Sequence, residues 1–307
     1  MTDISPSPRP STLRAWLTDP HPHSPAQARM QQLWRMWRKL RRNGSALLGL
    51  TILLVIACAA IFAPLVATHD IYAQDLGNRL ALPSAEHWLG TDELGRDIYS
   101  RLLFGARITL YIAFLTAIIS APVGLLIGTL SGYLGGWVDT VMMRVTEVFL
   151  AFPSLVLALA FVSALGPGIN NAVIAISLTA WPPIARLARA ETMIIRHSDY
   201  ISAVRLQGAS ALRILVRHVM PMCVPSVIAR VTLNMASIIL SAAGLGFLGL
   251  GAQPPSPEWG AMLSTAREFI LSNSYVAAAP GIAILMTSIA FNLVGDGLRD
   301  VLDPRHG

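Results

Sequence analysis

Charge is what this sequence has least of. Asp, Glu, Lys and Arg make up 13% of its 307 residues, about half the share of a soluble globular domain. With 54% hydrophobic residues and a positive mean hydropathy, that deficit excludes an ordinary soluble fold. Cysteine is scarce as well. Cys58 and Cys223 each sit in an apolar stretch, which argues for buried small hydrophobes and against a disulfide or metal pair. Catalytic signatures are missing too: there is no GxxxxGK[ST] phosphate loop, no HExxH, no GxSxG, and no paired Cys or His at metal-ligand spacing. The chain is therefore expected to be non-catalytic, with no cofactor or metal of its own, so any energy input must come from another chain.

The charges that exist are segregated. Residues Ser45–Thr68, Ile108–Val138, Val148–Ala185 and Phe269–Gly295 contain none, and Val219–Pro257 contains only Arg230. A membrane-crossing helix needs about 20 mostly apolar residues. The Val148–Ala185 run is too long for one span and is divided by Gly166-Pro167-Gly168, a turn signal. The reading is an all-α integral membrane protein with six transmembrane helices. More than forty residues precede the first span, so it is read as a retained helix and not a cleaved signal.

Arginine placement orients the chain. The N-terminal segment is basic, as is the stretch with Arg186, Arg189, Arg196, Arg205, Arg213 and Arg217. The loop after the first span is acidic, with Asp70, Asp75, Glu86, Asp92, Glu93 and Asp97. The positive-inside rule then predicts that both termini and the arginine segment are cytoplasmic. The formal charge of +6 follows from topology and does not imply a nucleic-acid partner. The expected organisation is a cytoplasmic N-terminal segment over 1–44, a first transmembrane helix over 45–67, an external loop over 68–105, a five-helix core over 106–297 containing a cytoplasmic loop at 186–219, and a cytoplasmic tail over 298–307. Within the first segment, residues 1–28 are rich in Pro, Ser and His and are expected to be disordered. Gln31–Arg42 carries Leu33, Trp34, Trp37 and Leu40 at helical spacing among cations, as suits a helix lying on membrane lipid.

Several smaller patterns have structural readings. Gly244, Gly246 and Gly249 spell GxGxxG, but the run lies in a predicted span and leads into a proline-rich loop, so a dinucleotide site is rejected. Close helix contact or a helix break accounts for it better. Gly124, Gly128 and Gly132 share one helix face that lets another backbone approach, within the bundle or at a dimer interface. Arg144 and Glu147 are spaced to pair across one helical turn. Arg230, with Asn234 one turn further, is either a snorkelling cation or part of a polar stripe lining a translocation path. Gly251–Glu268 is expected to be a rigid, ordered external connection, because it holds Pro254, Pro255 and Pro257.

The most informative segment is Tyr200–Pro221, YISAVRLQGASALRILVRHVMP. Ser198 or Asp199 can cap a helix beginning near Tyr200. Gly208 can take the left-handed conformation that ends it, and a second helix restarts at Ala211 and runs into the fifth span. A polar helix–glycine–helix unit in so apolar a chain is expected to meet a soluble partner. The residues assigned to that contact are Tyr200, Ser202, Ala203, Val204, Arg205, Gly208, Ala209 and Ser210.

Five segments in order carry a family resemblance: Arg41–Leu54, His87–Leu110 (HWLGTDELGRDIYSRLLFGARITL), Ala151–Ala160, Leu245–Leu263 (LGFLGLGAQPPSPEWGAML) and Phe291–Pro304 (FNLVGDGLRDVLDP). They resemble the "C" permease of peptide and nickel ABC importers, and Tyr200–Pro221 resembles the family's EAA loop. Ser202-Ala203-Val204 stands where the family usually has Glu-Ala-Ala. The resemblance implies the type I ABC importer architecture and a homologous second permease. It also implies one or two ABC ATPase subunits that use ATP and Mg, an extracytoplasmic solute-binding protein, and residence in the bacterial inner membrane. It implies di- or oligopeptide cargo, with nickel or another chelated metal as the alternative. An ion-coupled secondary transporter fits less well, since no acidic residue falls at a predicted midplane and no inverted repeat is evident.

Overall fold

The computed structural model describes residues 16–17 and 24–302. The structure is helical, and among the described residues the only β-type pairing is an isolated bridge between Thr91 and Asp97. Helix α1 (Pro25–Leu40) starts on a Ser24 cap. It stacks Arg38 over Trp34 at 5.5 Å, and Arg41 just beyond it lies over Trp37 at 5.9 Å. These cation–π pairs, with Trp37 exposed, suit a helix at a headgroup boundary.

Helix α2 (Gly44–Ile61) begins on an Asn43 cap, and a single turn, α3 (Ala63–Val66), follows it. Helix α4 (Ile98–Leu134) has 37 residues and is the long central element, about 55 Å at 1.5 Å per residue. Helices α5 (Gly136–Ala151) and α6 (Ser154–Leu165) form a pair bent by 93° at Phe152-Pro153. Helices α7 (Ile169–Ala180) and α8 (Pro182–Arg196) are likewise separated at Trp181. The third and fourth predicted spans are thus broken helices. Proline lacks the N–H that would continue the helix at each break. The Gly166 and Gly168 positive φ angles (90° and 140°) make the expected turn between α6 and α7. Two short helices, α9 (Asp199–Leu206) and α10 (Ala211–Ile214), precede α11 (Met220–Phe247). Then come α12 (Trp259–Ala266) and α13 (Ser274–Leu302).

The helices α2, α4 and α13, together with the continuous stretch Ala211–Phe247, are each long and apolar enough to cross a membrane, and the bent pair α5–α6 makes a fifth candidate. Lipid does not drive apolar faces together as water does, so close packing must hold such helices. Glycine supplies it between α4 and α8. A Cβ on Gly124 would lie 2.7 Å from the Ile184 Cβ, and one on Gly132 would lie 2.8 Å from the Arg189 carbonyl oxygen. A Cβ on Gly128 would collide with the Ala185 carbonyl. The glycine face is therefore filled by this chain's own α8 and is not left free for a dimer contact. Below it, Arg189 donates from Nε and Nη2 to both Asp139 oxygens at 2.6 Å, and Ser131 also bonds Asp139. This clamp joins the start of α5 to α8.

The long acidic loop is ordered around buried charges. Arg96 donates to Asp92 at 2.7 Å and Glu93 at 2.8 Å, and Arg101 lies 3.4 Å from Asp92. Arg101 also donates to the Ile71 carbonyl at 3.0 Å. Asp97 caps α4 through the Ser100 N–H at 2.8 Å. Burial pushes the Asp97 carboxyl up, but hydrogen bonds from Ser100 and His87 and the nearby His69 outweigh it and hold the group below its ordinary value. The Gly251–Glu268 connection is ordered, as its prolines suggest, and it contains a helix as well. Trp259 of α12 is buried and donates to the Leu102 carbonyl at 3.0 Å, with Gly105 of α4 leaving room for its ring.

Candidate functional site

The helix–glycine–helix segment forms with the local chemistry its residues dictate. Helix α8 ends at Arg196, and the Ser198 hydroxyl accepts from the Ile201 N–H to start α9. Gly208 takes φ +81°, a left-handed turn with no atom near the position of a missing Cβ. Ser210 then caps α10 by accepting from the Arg213 N–H. A π-helical segment, Leu215–Val219, joins α10 to α11. Tyr200 and His218 meet across this junction, with Oη 2.7 Å from Nδ1.

A small core of its own holds the hairpin in place. Ile195, Ile201, Ile214, Leu215, Val219 and Cys223 are buried together against Tyr133 at the end of α4. The unit is therefore anchored to α4, α8 and α11.

The structure divides the eight predicted contact residues. Tyr200, Ser202, Ala203, Arg205, Gly208 and Ser210 are exposed. Val204 and Ala209 instead turn partly inward against the small core; Val204 shares the face of α9 that carries buried Ile201 three residues before it, and Ala209 follows the reversal at Gly208. The Ser202 hydroxyl donates to the Ser198 carbonyl at 3.2 Å, so the residue replacing the usual glutamate is satisfied within its own helix. Two residues escaped the sequence reading. Leu206 and Leu212 are 89% and 70% exposed on either side of Gly208. Their signal was an apolar residue among polar neighbours in a segment already expected to meet a soluble partner. Arg205, Arg213 and Arg217 are exposed around them, and none forms an ion pair with another described residue.

Arg230 and Asn234 lie one turn apart on α11, both half-buried. The Arg230 Nε is buried without a hydrogen-bond partner among the described residues. Arg144 and Glu147 pair at 3.0 Å as their spacing predicts. A cleft of about 420 Å³ opens beside them, lined by Met143, Thr146, Glu147, Arg186, Arg189 and Ala190. The GxGxxG run ends α11, where Gly246 gives room to the Glu258 carboxylate and Gly249 turns with φ +76°. It forms no strand–turn–helix unit.

Comparison with known proteins is consistent with this geometry. Residues 124–306 match the family of the binding-protein-dependent transport system inner membrane component. Residues 31–83 match the N-terminal TM domain of oligopeptide transport permease C. The chain is 41% identical over 293 residues to the dipeptide transport system permease protein DppC of Alkalihalophilus pseudofirmus, covering 94% of this chain and 96% of that protein. It is 45% identical over 270 residues to the glutathione transport system permease protein GsiD of Shigella sonnei, covering 88% and 89%. Among solved structures, a chain of the inward-facing MetNI methionine ABC transporter superposes with a TM-score of 0.55 at 19% identity, over 66% of this chain and 97% of that one. At that identity the likeness establishes the type I permease fold alone.

Proposed function

The chain belongs to the binding-protein-dependent transport system inner membrane components, and from that premise we propose that it forms half of the translocation path of an ATP-driven importer for di- or oligopeptides. Membership makes it a multi-pass inner-membrane permease with no catalytic role of its own, ATP being hydrolysed by a separate subunit. The finer reading concerns how it is driven and what it carries.

The observation that carries the reading is the hairpin around Gly208. It presents Leu206 and Leu212, adjacent in sequence to the exposed Arg205 and Arg213, on a support continuous with α4, α8 and α11. Two exposed leucines of this kind fit a groove on an ATPase, with the arginines reaching acidic or carbonyl groups at its rim. In this reading both termini and the hairpin are cytoplasmic, where ATP and Mg are available to the partner. ATP-driven closure of two ATPase domains moves the hairpin, and the rigid support tilts the long helices. A homologous second permease completes the path, and a binding protein delivers cargo at the acidic-loop face. The ligand-dependent bias between inward and outward states comes from differential ATPase contact.

Cargo is inferred from the relatives and from Arg230. Both named relatives are assigned to peptides. A half-buried guanidinium in a span suits a passing carboxylate and repels a bare divalent cation. Affinity purification from native membranes, with mass spectrometry of the recovered chains, tests the assembly. Recovery of a P-loop ATPase and a second permease is expected, with the ATPase lost in Leu206→Glu. Uptake of a labelled dipeptide by vesicles containing the full complex tests the cargo. Uptake that a hundredfold excess of chelated nickel suppresses, but unlabelled dipeptide does not, overturns the peptide assignment.

A further inference from the structure

Outside the hairpin, one cluster of metal-ligating side chains has no part in the transport reading. His69 follows α3, His87 lies in the middle of the acidic loop, and Asp97 caps α4. They are separated by 18 and 10 positions, far from any metal-ligand spacing, yet the fold brings one donor atom from each within 4.8 Å of the others. His87 Nδ1 is 3.0 Å from Asp97 Oδ1, and His69 Nδ1 is 3.8 Å from the same oxygen. The two imidazoles lie side by side with centroids 4.5 Å apart.

We propose that His69, His87 and Asp97 form a binding site for a borderline transition-metal dication, with zinc as the reference ion, on the acidic-loop face of the protein. Two imidazoles and a carboxylate are a recognised zinc donor set, and tetrahedral bonds of about 2.0–2.2 Å place neighbouring donors roughly 3.3–3.6 Å apart. The 3.0 and 3.8 Å pairs bracket that spacing: an ion would displace the proton of the His87–Asp97 hydrogen bond and draw in His69, the most exposed of the three at 34%, by a small rotation. Nitrogen donors favour zinc, nickel or copper over magnesium or calcium, which select oxygen.

The surroundings are those of a built site. The Asp97 side chain is fully buried, and its second oxygen is held by the Ser100 N–H at 2.8 Å and by the Thr68 hydroxyl at 3.4 Å. This leaves Oδ1 directed at both histidines, the outer-shell arrangement that orients a ligating carboxylate. The Ser100 hydroxyl in turn accepts from the Thr68 and His69 N–H groups at 3.2 and 3.1 Å, fixing the backbone that carries the first imidazole. An ion there would pin the outer end of the first span, the middle of the loop and the start of α4 together, with its fourth position open where His69 meets solvent. Its effect is a brace on the face where cargo arrives.

The test uses the full chain in its purified membrane complex, prepared without a polyhistidine tag and stripped with a chelator. Cobalt(II) reports coordination through its visible d–d absorption, and zinc competition gives affinity and stoichiometry. One zinc-displaceable cobalt per chain with a tetrahedral spectrum is expected. His69→Ala should weaken binding by at least about tenfold while leaving the metal-free melting temperature unchanged, since its side chain is the most exposed of the three. His87→Gln should weaken binding similarly. A parent protein that binds no cobalt at this stoichiometry, or binding equal in parent and His69→Ala, overturns the proposal.

Discussion

The Glu258 carboxylate lies directly against Gly246, so that a Cβ at that glycine would collide with its Oε2. From there it accepts from the Gly260 and Ala261 N–H groups at 2.9 and 2.8 Å and caps α12. The cap and the close approach depend on one another. Gly246→Ala is expected to displace the carboxylate and destabilise the protein by about 1–3 kcal/mol, the range for overpacking. Thermal unfolding in detergent measures it, and an unchanged melting temperature would count against this packing.

The same carboxylate predicts a pH dependence. Burial raises Glu258 to about 7, although the two backbone donors favour its ionised form. A carboxyl with a folded pKa above its unfolded value binds more protons when folded. Its contribution to stability is full below about pH 4.5, falls as pH rises toward about 7, and is flat beyond. The change is on the order of 3 kcal/mol. Melting temperatures from pH 5 to 8 should therefore decline less steeply in Glu258→Gln than in the parent.

Packing of α4 on α8 predicts sensitivity at the glycine face. Gly124→Val and Gly132→Val each place carbon where 2.7–2.8 Å is available. Each should cost about 1–3 kcal/mol and lower the yield of folded chain. Valine at Gly136, which has no atom within 4 Å of its missing Cβ but a φ of +56°, should cost only backbone strain of about 1–2 kcal/mol. Comparing the three by size-exclusion yield and melting temperature separates crowding from strain.

The Asp139–Arg189 clamp is bidentate but partly open to solvent, with 22% and 31% side-chain exposure. Its worth is therefore nearer about 1 kcal/mol than the several expected of a buried pair. A double-mutant cycle of Asp139→Asn and Arg189→Gln should return a coupling of that size. A coupling near zero would mean that the ion pair itself adds nothing measurable to the packing of α5 on α8.

Coupling to a partner should be separable from folding. Gly208→Val strains a residue at φ +81° with open space around it, costing about 1–2 kcal/mol and moving α10 relative to α9. Leu206→Glu leaves the fold intact, since that side chain is 89% exposed. Both should reduce cargo-stimulated ATP hydrolysis by the assembled complex by tenfold or more. Only Gly208→Val should also lower the melting temperature.

Much of this was legible along the chain because membranes impose one-dimensional rules. Lipid excludes unpaired backbone and charge, so charge-free runs located the long helices α2, α4, α11 and α13, and Gly166-Pro167-Gly168 located the turn between α6 and α7. Caps and left-handed glycines are equally local, which is why a cap at Ser198 or Asp199 and the turn at Gly208 could be read from sequence, although the Ser210 cap was not. What could not be read is what depends on which helix lies beside which. The 93° bend at Phe152-Pro153 needed neighbours to fix it. The inward turn of Val204 and Ala209, and the exposure of Leu206 and Leu212, followed from a core shared with α4, α8 and α11. Sequence by itself determined that this is a helical membrane protein with a polar hairpin, because hydrophobicity and capping act over a few residues. Only the tertiary structure decided that Gly124, Gly128 and Gly132 serve α8, that Glu258 reaches Gly246, and that His69, His87 and Asp97 meet. Those contacts join residues far apart in the chain, and the close approach of backbones that creates them has no signature at any fixed spacing.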